Sequence, residues 1–162
     1  VLMKIPINHI IKIMKEFNGV EHRLEYVDQI NGIEFINDSK ATNINSVIVA
    51  IEAFQKQIVL ILGGYNKGAN FRLLLPHIKS NNVKSIISYG DAGEHINTVL
   101  GDAVRSVLVS DLNSAVKRAL SEATPGDIVL LSPGCASYDQ FENFEERGNF
   151  FKKCIKKIEL PC

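Results

Sequence analysis

The sequence predicts an α/β fold built on a doubly wound, mostly parallel sheet of about six strands, with an N-terminal β-hairpin and helices on both faces. Two observations lead to this fold class. Continuous apolar runs such as Ile58–Leu62 and Ile128–Leu131 alternate with amphipathic segments, which is the pattern of parallel strands covered on both faces. The pair Asn31-Gly32 separates two strand-like runs near the start of the chain, and Asn-Gly is a strong hairpin signal.

Each element follows from its own local pattern. A first helix is expected from Asn8 to Phe17, ending at an Asn18-Gly19 cap. The predicted strands are Leu24–Val27, Ile33–Ile36, Ile58–Leu62, Ser85–Tyr89, Ser106–Ser110 and Ile128–Leu131. The predicted helices cover Val47 to Phe54, Phe71–Ser80, Glu94–Leu100, Leu112–Ala123 and a long final segment with Phe141, Phe144, Phe151, Ile155 and Ile158 on one side. Together these elements describe a Rossmann-like arrangement.

Composition sets limits on the class of protein. The 162 residues carry 18 Lys and Arg against 18 Asp and Glu, so the formal net charge is zero. This balance gives no electrostatic reason to expect a nucleic-acid or membrane partner. The sequence has no signal peptide and no apolar run of membrane-spanning length. Its three cysteines and four scattered histidines lack metal-ligand or disulfide spacing, so we expect no metal site and a soluble, cytoplasmic protein.

Three loops are expected at the carboxyl ends of the strands, where ligands bind in sheets of this kind. They are Asn37–Asn43, Gly63–Asn70 and Ser132–Gln140. Taken singly, each has a purely structural interpretation as a helix cap or a tight turn. A nucleophilic role for Cys135 has little support, because no histidine is placed to activate it.

Taken together, the loops predict a binding site for a small dianion. They bring two ammonium groups, Lys40 and Lys67, and the hydroxyls of Ser39, Thr42 and Ser137 to one edge of the sheet. Each carboxylate or phosphate oxygen favours a charge-assisted donor of this kind. No histidine or carboxylate pair is arranged for general acid–base work. The residues alone therefore favour binding and orientation over bond breaking.

Four strings carry a resemblance to a known family. They are Phe17-Asn-Gly-Val-Glu-His-Arg-Leu-Glu25, Asn37-Asp-Ser-Lys-Ala-Thr-Asn43, Leu62-Gly-Gly-Tyr-Asn-Lys67 and Leu131-Ser-Pro-Gly-Cys-Ala-Ser-Tyr-Asp-Gln-Phe-Glu-Asn-Phe-Glu-Glu-Arg-Gly148. In this order they resemble the C-terminal domain of the Mur ligases of bacterial peptidoglycan synthesis. The second string resembles the variant of the D-glutamate-adding members, and the Asp-Asn-Pro-Arg string of the diaminopimelate- or lysine-adding members is absent.

The resemblance implies a larger enzyme of which this chain is one part. Residues 1–18 would end a central ATPase domain, and residues 19–162 would form the amino-acid-binding domain. ATP, bound with Mg2+ mostly by the central domain, would phosphorylate UDP-MurNAc-L-alanine. D-glutamate would then attack the acyl phosphate through a tetrahedral intermediate. The resemblance also implies a monomer, and a fragment that is inactive alone because it lacks a Walker A loop.

The resemblance assigns roles to individual residues. The carboxylates of D-glutamate would be held by Lys40, Thr42, Lys67 and Ser137, in a pocket also lined by the Tyr138 backbone and Phe144. Lys40 and Lys67 would act in catalysis by positioning the amino acid and by offsetting developing negative charge. Arg23 and Asp38 would reach the nucleotide, with Asp38 at the ribose. His22 would border the cleft near the muramoyl substrate.

Two alternatives remain open on the sequence. One is the same domain of a sister ligase, such as another Mur ligase or a folylpolyglutamate synthase, that adds a different amino acid. The other is a stand-alone anion- or nucleotide-binding module without catalytic function. Tyr65 and Tyr138 also depart from the residues familiar in the family at these positions, which affects the expected shape of the pocket rim.

Overall fold

The computed structural model describes residues 5–16, 19–80 and 82–158. Over these residues the chain forms six strands and six α-helices, which alternate after the opening hairpin β1–β2. The strands are β1 (Glu25–Ile30), β2 (Ile33–Asn37), β3 (Ile58–Gly63), β4 (Val83–Tyr89), β5 (Ser106–Leu108) and β6 (Ile128–Gly134). The helices are α1 (Ile7–Glu16), α2 (Ile44–Glu52), α3 (Leu75–Ser80), α4 (Gly93–Leu100), α5 (Leu112–Glu122) and α6 (Phe144–Ile158), with a 3-10 turn at Phe71–Leu74.

The strands form one sheet in the order β1-β2-β6-β3-β4-β5. β1 is antiparallel to β2, and every other neighbouring pair is parallel. The predicted fold class is therefore confirmed. The strand order, which spacing along the sequence does not reveal, places β6 between β2 and β3. As a result, the carboxyl ends of these three strands lie side by side.

The hairpin is tighter than the sequence suggested. We expected β1 to stop at Val27, but it continues to Ile30, with a bulge between Tyr26 and Asp28. Only Asn31 and Gly32 form the turn, at φ +51° and +79°. Positive φ at both central residues is what a two-residue hairpin turn requires. The polar side chains of Asp28 and Gln29 therefore do not prevent β1 from pairing with β2 as far as Ile30.

Apolar side chains fill both faces of the sheet. Along β3, Leu60 and Leu62 belong to one buried cluster, while Val59 and Ile61 belong to the other. All four side chains are fully buried. Because alternate residues of a strand face opposite sides, a continuous apolar run is needed when helices cover both faces.

Two helices differ from expectation in detail. The final helix begins at Phe144, so Phe141 lies just before it rather than on it. α1 forms as predicted, but its described apolar side chains remain exposed, from 39% at Ile10 to 72% at Met14. Phe17 and Asn18 fall outside the described residues. No helix among the described parts of the chain combines the length and the apolarity needed to cross a membrane.

Candidate functional site

The loops after three adjacent strands meet at the carboxyl edge of the sheet. They comprise residues 38–43 after β2, 64–70 after β3 and 135–143 after β6, together with the last residues of these strands. The Gly134 N–H donates to the Ala41 carbonyl at 2.8 Å, and the Tyr65 N–H donates to the Ala136 carbonyl at 2.9 Å. Backbone hydrogen bonds therefore join the loop after β6 to both of its neighbours.

A glycine allows the second of these contacts. Gly64 has φ +120°, and a Cβ atom there would lie 2.3 Å from the Ala136 carbonyl oxygen. Any other residue would push the two loops apart. The Gly-Gly pair after β3 therefore serves a close backbone approach, which brings the segment carrying Lys67 next to the loop after β6.

Lys67 and Thr42 line one cavity of about 350 Å3. Its wall is formed by Thr42, Asn43, Ile44, Asn45, Lys67, Gly68, Ala69, Leu73, Gly134, Cys135 and Ala136, with no acidic side chain among them. Ser137 is the next residue in the sequence after Ala136, but it does not line the cavity and is 3% exposed. The Lys67 ammonium lies 5.0 Å from the centroid of the exposed Tyr138 ring. We call this space the lysine–threonine cavity.

Lys40 belongs to the same loop after β2 as Thr42, but it lines a second cavity of about 330 Å3. Its wall is formed by Arg23, Leu24, Asp38, Lys40, Ala41, Asn45, Ser46, Val49 and Ala50, and we call it the arginine–aspartate cavity. The Lys40 ammonium lies 5.3 Å from the centroid of the Phe144 ring. The structure thus places Lys40 beside Arg23 and Asp38, whereas Thr42 and Lys67 share the neighbouring space.

Asp38 is an almost buried carboxylate, 5% exposed, with two internal donors. It accepts hydrogen bonds from the Ser132 hydroxyl at 2.8 Å and from the Leu24 N–H at 3.2 Å. Burial raises the pKa of Asp38 to about 6, against the opposing effects of these donors and of Arg23. Because a pKa of about 6 lies below neutral pH, the ionised form of Asp38 predominates there. Its oxygens can then accept a further hydrogen bond from a donor in the arginine–aspartate cavity.

His22 supports the turn that carries Arg23. Both His22 and Leu24 have positive φ, +62° and +43°, a strained conformation that persists only when its surroundings fix it. The His22 carbonyl accepts from the Lys40 N–H at 3.0 Å, and its ring Nδ1 lies 3.0 Å from the Asn37 amide nitrogen. His22 is 4% exposed and lines neither cavity. Its contact with a muramoyl substrate stays a prediction.

Arg147 is a residue that the sequence reasoning missed. It is fully buried, the largest such side chain among the described residues. Its Nε donates to the Ser39 hydroxyl at 3.0 Å and Nη2 donates to the Ser39 carbonyl at 2.8 Å, while Nη1 donates to the carbonyls of Cys135 and Ala136 at 3.1 and 3.2 Å. One guanidinium thereby ties the loop after β2 to the loop after β6. Arg147 lies three residues after Phe144 and four before Phe151, on the buried face of α6. This helical spacing could have indicated from the sequence that Arg147 is buried.

Other side chains at this edge have structural roles. Asn43 caps α2 by accepting from the Ser46 N–H at 3.0 Å, so the capping interpretation of that residue is confirmed. Burial raises the pKa of the Cys135 thiol to about 12, which disfavours the thiolate and argues against the nucleophile interpretation. No group of three or more His, Cys, Asp or Glu side chains that could hold a metal occurs within residues 5–16, 19–80 and 82–158.

Comparison with known proteins identifies the family of this α/β domain. The family model described as "Mur ligase, glutamate ligase domain" matches residues 22–135. A UDP-N-acetylmuramoylalanine--D-glutamate ligase from Bdellovibrio bacteriovorus is 42% identical over 147 residues, which cover 91% of this chain and 32% of that protein. A ligase of the same name from Acidobacterium capsulatum is 47% identical over 142 residues, 88% of this chain and 31% of that protein. The chain belongs to the Mur ligase family, in its glutamate ligase domain, and spans about a third of the length of these relatives.

Solved structures share the fold at low sequence identity. E. coli FolC in complex with DHPP and ADP aligns with a TM-score of 0.61 and 16% identity, over 86% of this chain and 32% of that chain. The MurF ligase from Thermotoga maritima in complex with ADP aligns with a TM-score of 0.57 and 15% identity, over 88% of this chain and 33% of that chain. These likenesses support the architecture alone.

Proposed function

We propose that this chain is the amino-acid-binding domain of an ATP-dependent ligase that adds D-glutamate to UDP-MurNAc-L-alanine, and that the lysine–threonine cavity receives D-glutamate. The observation that carries the proposal is the charge of this cavity. Its wall contributes the Lys67 ammonium and no acidic side chain. The names of the two relatives reported above, both D-glutamate ligases, support the same substrate.

Two ammonium groups at this edge lack an acidic partner among the described residues. No carboxylate lies within 4.0 Å of Lys40 or Lys67 in the described part of the chain, whereas Lys56, Lys84 and Lys152 each have an acidic partner. A lysine already paired with a carboxylate would have to give up that partner before binding an anion. Lys67 is therefore suited to receive a carboxylate of the ligand, and Lys40 keeps its positive charge at the neighbouring cavity.

Positioning is the main chemical contribution of these residues. In our proposal Lys67, Thr42 and Ser137 hold the carboxylates of D-glutamate beside the Tyr138 backbone. Phe144 does not line this cavity and lies against Lys40 on the neighbouring side. Lys40, on the neighbouring side, offsets negative charge as the amide bond forms. Holding the amine beside an activated carboxyl group removes the entropy cost of a bimolecular encounter, worth about 7–11 kcal/mol at best.

The arginine–aspartate cavity fits the nucleotide side of the reaction. We assign the Asp38 carboxylate to the ribose hydroxyls, which can donate to it, and Arg23 to the phosphates, which its guanidinium can bind. ATP supplies the phosphoryl group that activates the acceptor carboxylate. We place the Mg2+ ligands, the remaining ATP contacts and most of the UDP-MurNAc-L-alanine site in a domain outside this chain. The buried His22 would border the cleft near the muramoyl substrate. Residues 1–18 would connect to that domain, and the exposed apolar face of α1 would pack there.

A titration of this chain with D-glutamate, followed through amide chemical shifts, tests the proposal. We expect changes at Thr42, Lys67 and Ser137, and an affinity about 10- to 150-fold lower in Lys67→Met, because a hydrogen bond to a charged group contributes about 1.5–3 kcal/mol. Lys56→Met, which removes a lysine at the opposite edge of the sheet, should bind like the wild type.

Two results would reject the proposal. One is the absence of shift changes at Thr42, Lys67 and Ser137 at millimolar D-glutamate. The other is stronger binding of L-lysine or diaminopimelate, which would favour a sister ligase. ATP-dependent phosphate release by this chain with both substrates present would contradict the assignment of the phosphate site to another domain.

A further inference from the structure

We propose that the Tyr138 ring is a positioning residue that holds the Lys67 ammonium at the lysine–threonine cavity before an anion binds. This inference rests on the proposed function for the identity of the ligand, but its geometry stands apart from that identity. The Lys67 Nζ atom lies 5.0 Å from the ring centroid, within the roughly 6 Å range of a cation–π contact. The two residues come from different loops, after β3 and after β6.

The Asn66 side chain accepts from the N–H groups of Gly68 and Ala69 at 2.9 Å and so fixes the backbone around Lys67, but the Lys67 side chain has no hydrogen bond or ion pair in the described part of the chain. Lys67 is exposed, between Asn66 and Gly68, and Gly68 has φ +82° with nothing within 4 Å of a Cβ placed there. A lysine side chain has four rotatable carbon–carbon bonds and loses up to about 2 kcal/mol of rotamer entropy when ordered. Without a partner its ammonium would sample a wide volume of solvent, and only a fraction of its conformers would face the cavity.

The backbone that carries Tyr138 is fixed on both sides. The Ala136 carbonyl accepts from Arg147 and from the Tyr65 N–H, and the Ser137 carbonyl accepts from the N–H groups of Gln140 and Phe141. The Tyr138 ring is nevertheless 63% exposed. Since the loop is held and the ring projects from it, the ring sets the position of the ammonium, and not the reverse.

An aromatic ring and a carboxylate differ in whether Lys67 keeps its positive charge available to bind an anion. A carboxylate would hold Lys67 equally well but would cancel its charge and compete with an incoming anion. The quadrupole of a ring attracts the cation without neutralising it. The ammonium is therefore both positioned and available, which lowers the ordering cost of binding an anion. Lys40 and Phe144 repeat this arrangement at the neighbouring cavity, at 5.3 Å.

The test compares Tyr138→Phe with Tyr138→Leu in this chain. Tyr138→Phe keeps the ring, so we expect the Lys67 side-chain Hε and Cε signals to keep their ring-current shielding in NMR spectra, and D-glutamate to bind as in the wild type. Tyr138→Leu should abolish the shielding and weaken D-glutamate binding about two- to five-fold, the size of an exposed cation–π contact. Tyr65→Leu, which removes the other exposed tyrosine of this edge, should leave the Lys67 signals unchanged.

Lys67 signals that are the same in the wild type and Tyr138→Leu would overturn the proposal. Equal D-glutamate affinities for wild type, Tyr138→Phe and Tyr138→Leu would overturn it as well. A wild-type chain that shows ring-current shielding of Lys67 but no response to D-glutamate would refute the proposed substrate while supporting the aromatic contact. The two ideas therefore fail in distinguishable ways.

Discussion

Replacing Arg147 tests whether one buried side chain holds the candidate site together. Arg147→Met keeps an unbranched stem of similar reach but removes every donor. Two buried carbonyls, of Ser39 and Cys135, would be left unpaired, whereas the Ala136 carbonyl would keep its hydrogen bond from the Tyr65 N–H. Each buried acceptor left unpaired costs about 1–3 kcal/mol, and removing the buried charge recovers part of that sum. We expect a loss of about 3–5 kcal/mol, a large share of the 5–15 kcal/mol typical of a domain.

Arg147→Lys separates the charge from the geometry. A lysine keeps the positive charge but has one compact ammonium with three donors, and it cannot span the two loops as a planar guanidinium does. We expect an intermediate loss of about 2–3 kcal/mol. Urea unfolding measures both variants, and the midpoint should fall while the m-value stays constant. Amide shift changes should concentrate in residues 39–42 and 134–138.

A surface arginine provides the matched control. Arg105 is 62% exposed and donates to Glu122 at 2.9 and 3.0 Å. Exposed pairs of this kind contribute about 0–1 kcal/mol, so Arg105→Met should be nearly neutral. If Arg147→Met costs no more than Arg105→Met, or if the shift changes miss either loop, the reasoning about Arg147 is wrong.

Three further predictions follow from burial at the same edge. Asp38→Asn should raise the free energy of unfolding by about 1–3 kcal/mol above pH 6. The reason is that the native pKa of Asp38, about 6, exceeds the ordinary value of 3.8. Urea titrations should show this gain in stability vanishing as the pH falls below 4. Gly148→Ala should lower that free energy by about 2–3 kcal/mol, since a Cβ there would lie 2.2 Å from Nδ1 of His22. Iodoacetamide followed by peptide mass spectrometry should label Cys154 in the native chain but Cys135 only after unfolding, because burial raises the pKa of Cys135 to about 12.

Each of these predictions has a contrary outcome. The sign at Asp38 is specific: a raised native pKa means that the charged form is penalised, so a difference between wild type and Asp38→Asn that grows on acidification would refute it. Alanine normally stabilises a helix interior relative to glycine by about 1 kcal/mol, so a Gly148→Ala variant as stable as the wild type would show that the His22 contact is not limiting. Alkylation of native Cys135 as fast as Cys154 would show that the thiol is accessible.

The sequence was most informative where physical rules are local. Ile58–Leu62 and Ile128–Leu131 were predicted as buried strands because only such strands are apolar on both faces, and both lie within the observed strands. Asn31-Gly32 located the hairpin because its turn demands positive φ. The rule that loops gather at the carboxyl edge of a parallel sheet then identified the segments around Lys40 and Lys67.

Longer-range features could not be obtained in this way. Lys40 and Lys67 line different cavities, which depends on the path of each loop and not on residue type. Arg147 reaches Ser39, 108 positions away, and Ala136, 11 positions away. An arginine is normally exposed, and nothing local shows that carbonyls from two distant loops will surround this one.

The position of β6 has a consequence for how the chain assembles. In the described part of the chain, the hairpin β1–β2 joins the rest of the sheet only through β6, which follows the other five strands in the sequence. Until residues 128–134 are synthesised, β2 and β3 present two open edges of unpaired backbone groups, which invite pairing with other chains. During synthesis these strand edges of the domain therefore stay open to aggregation until β6 has formed, and a chaperone would act mainly during that interval.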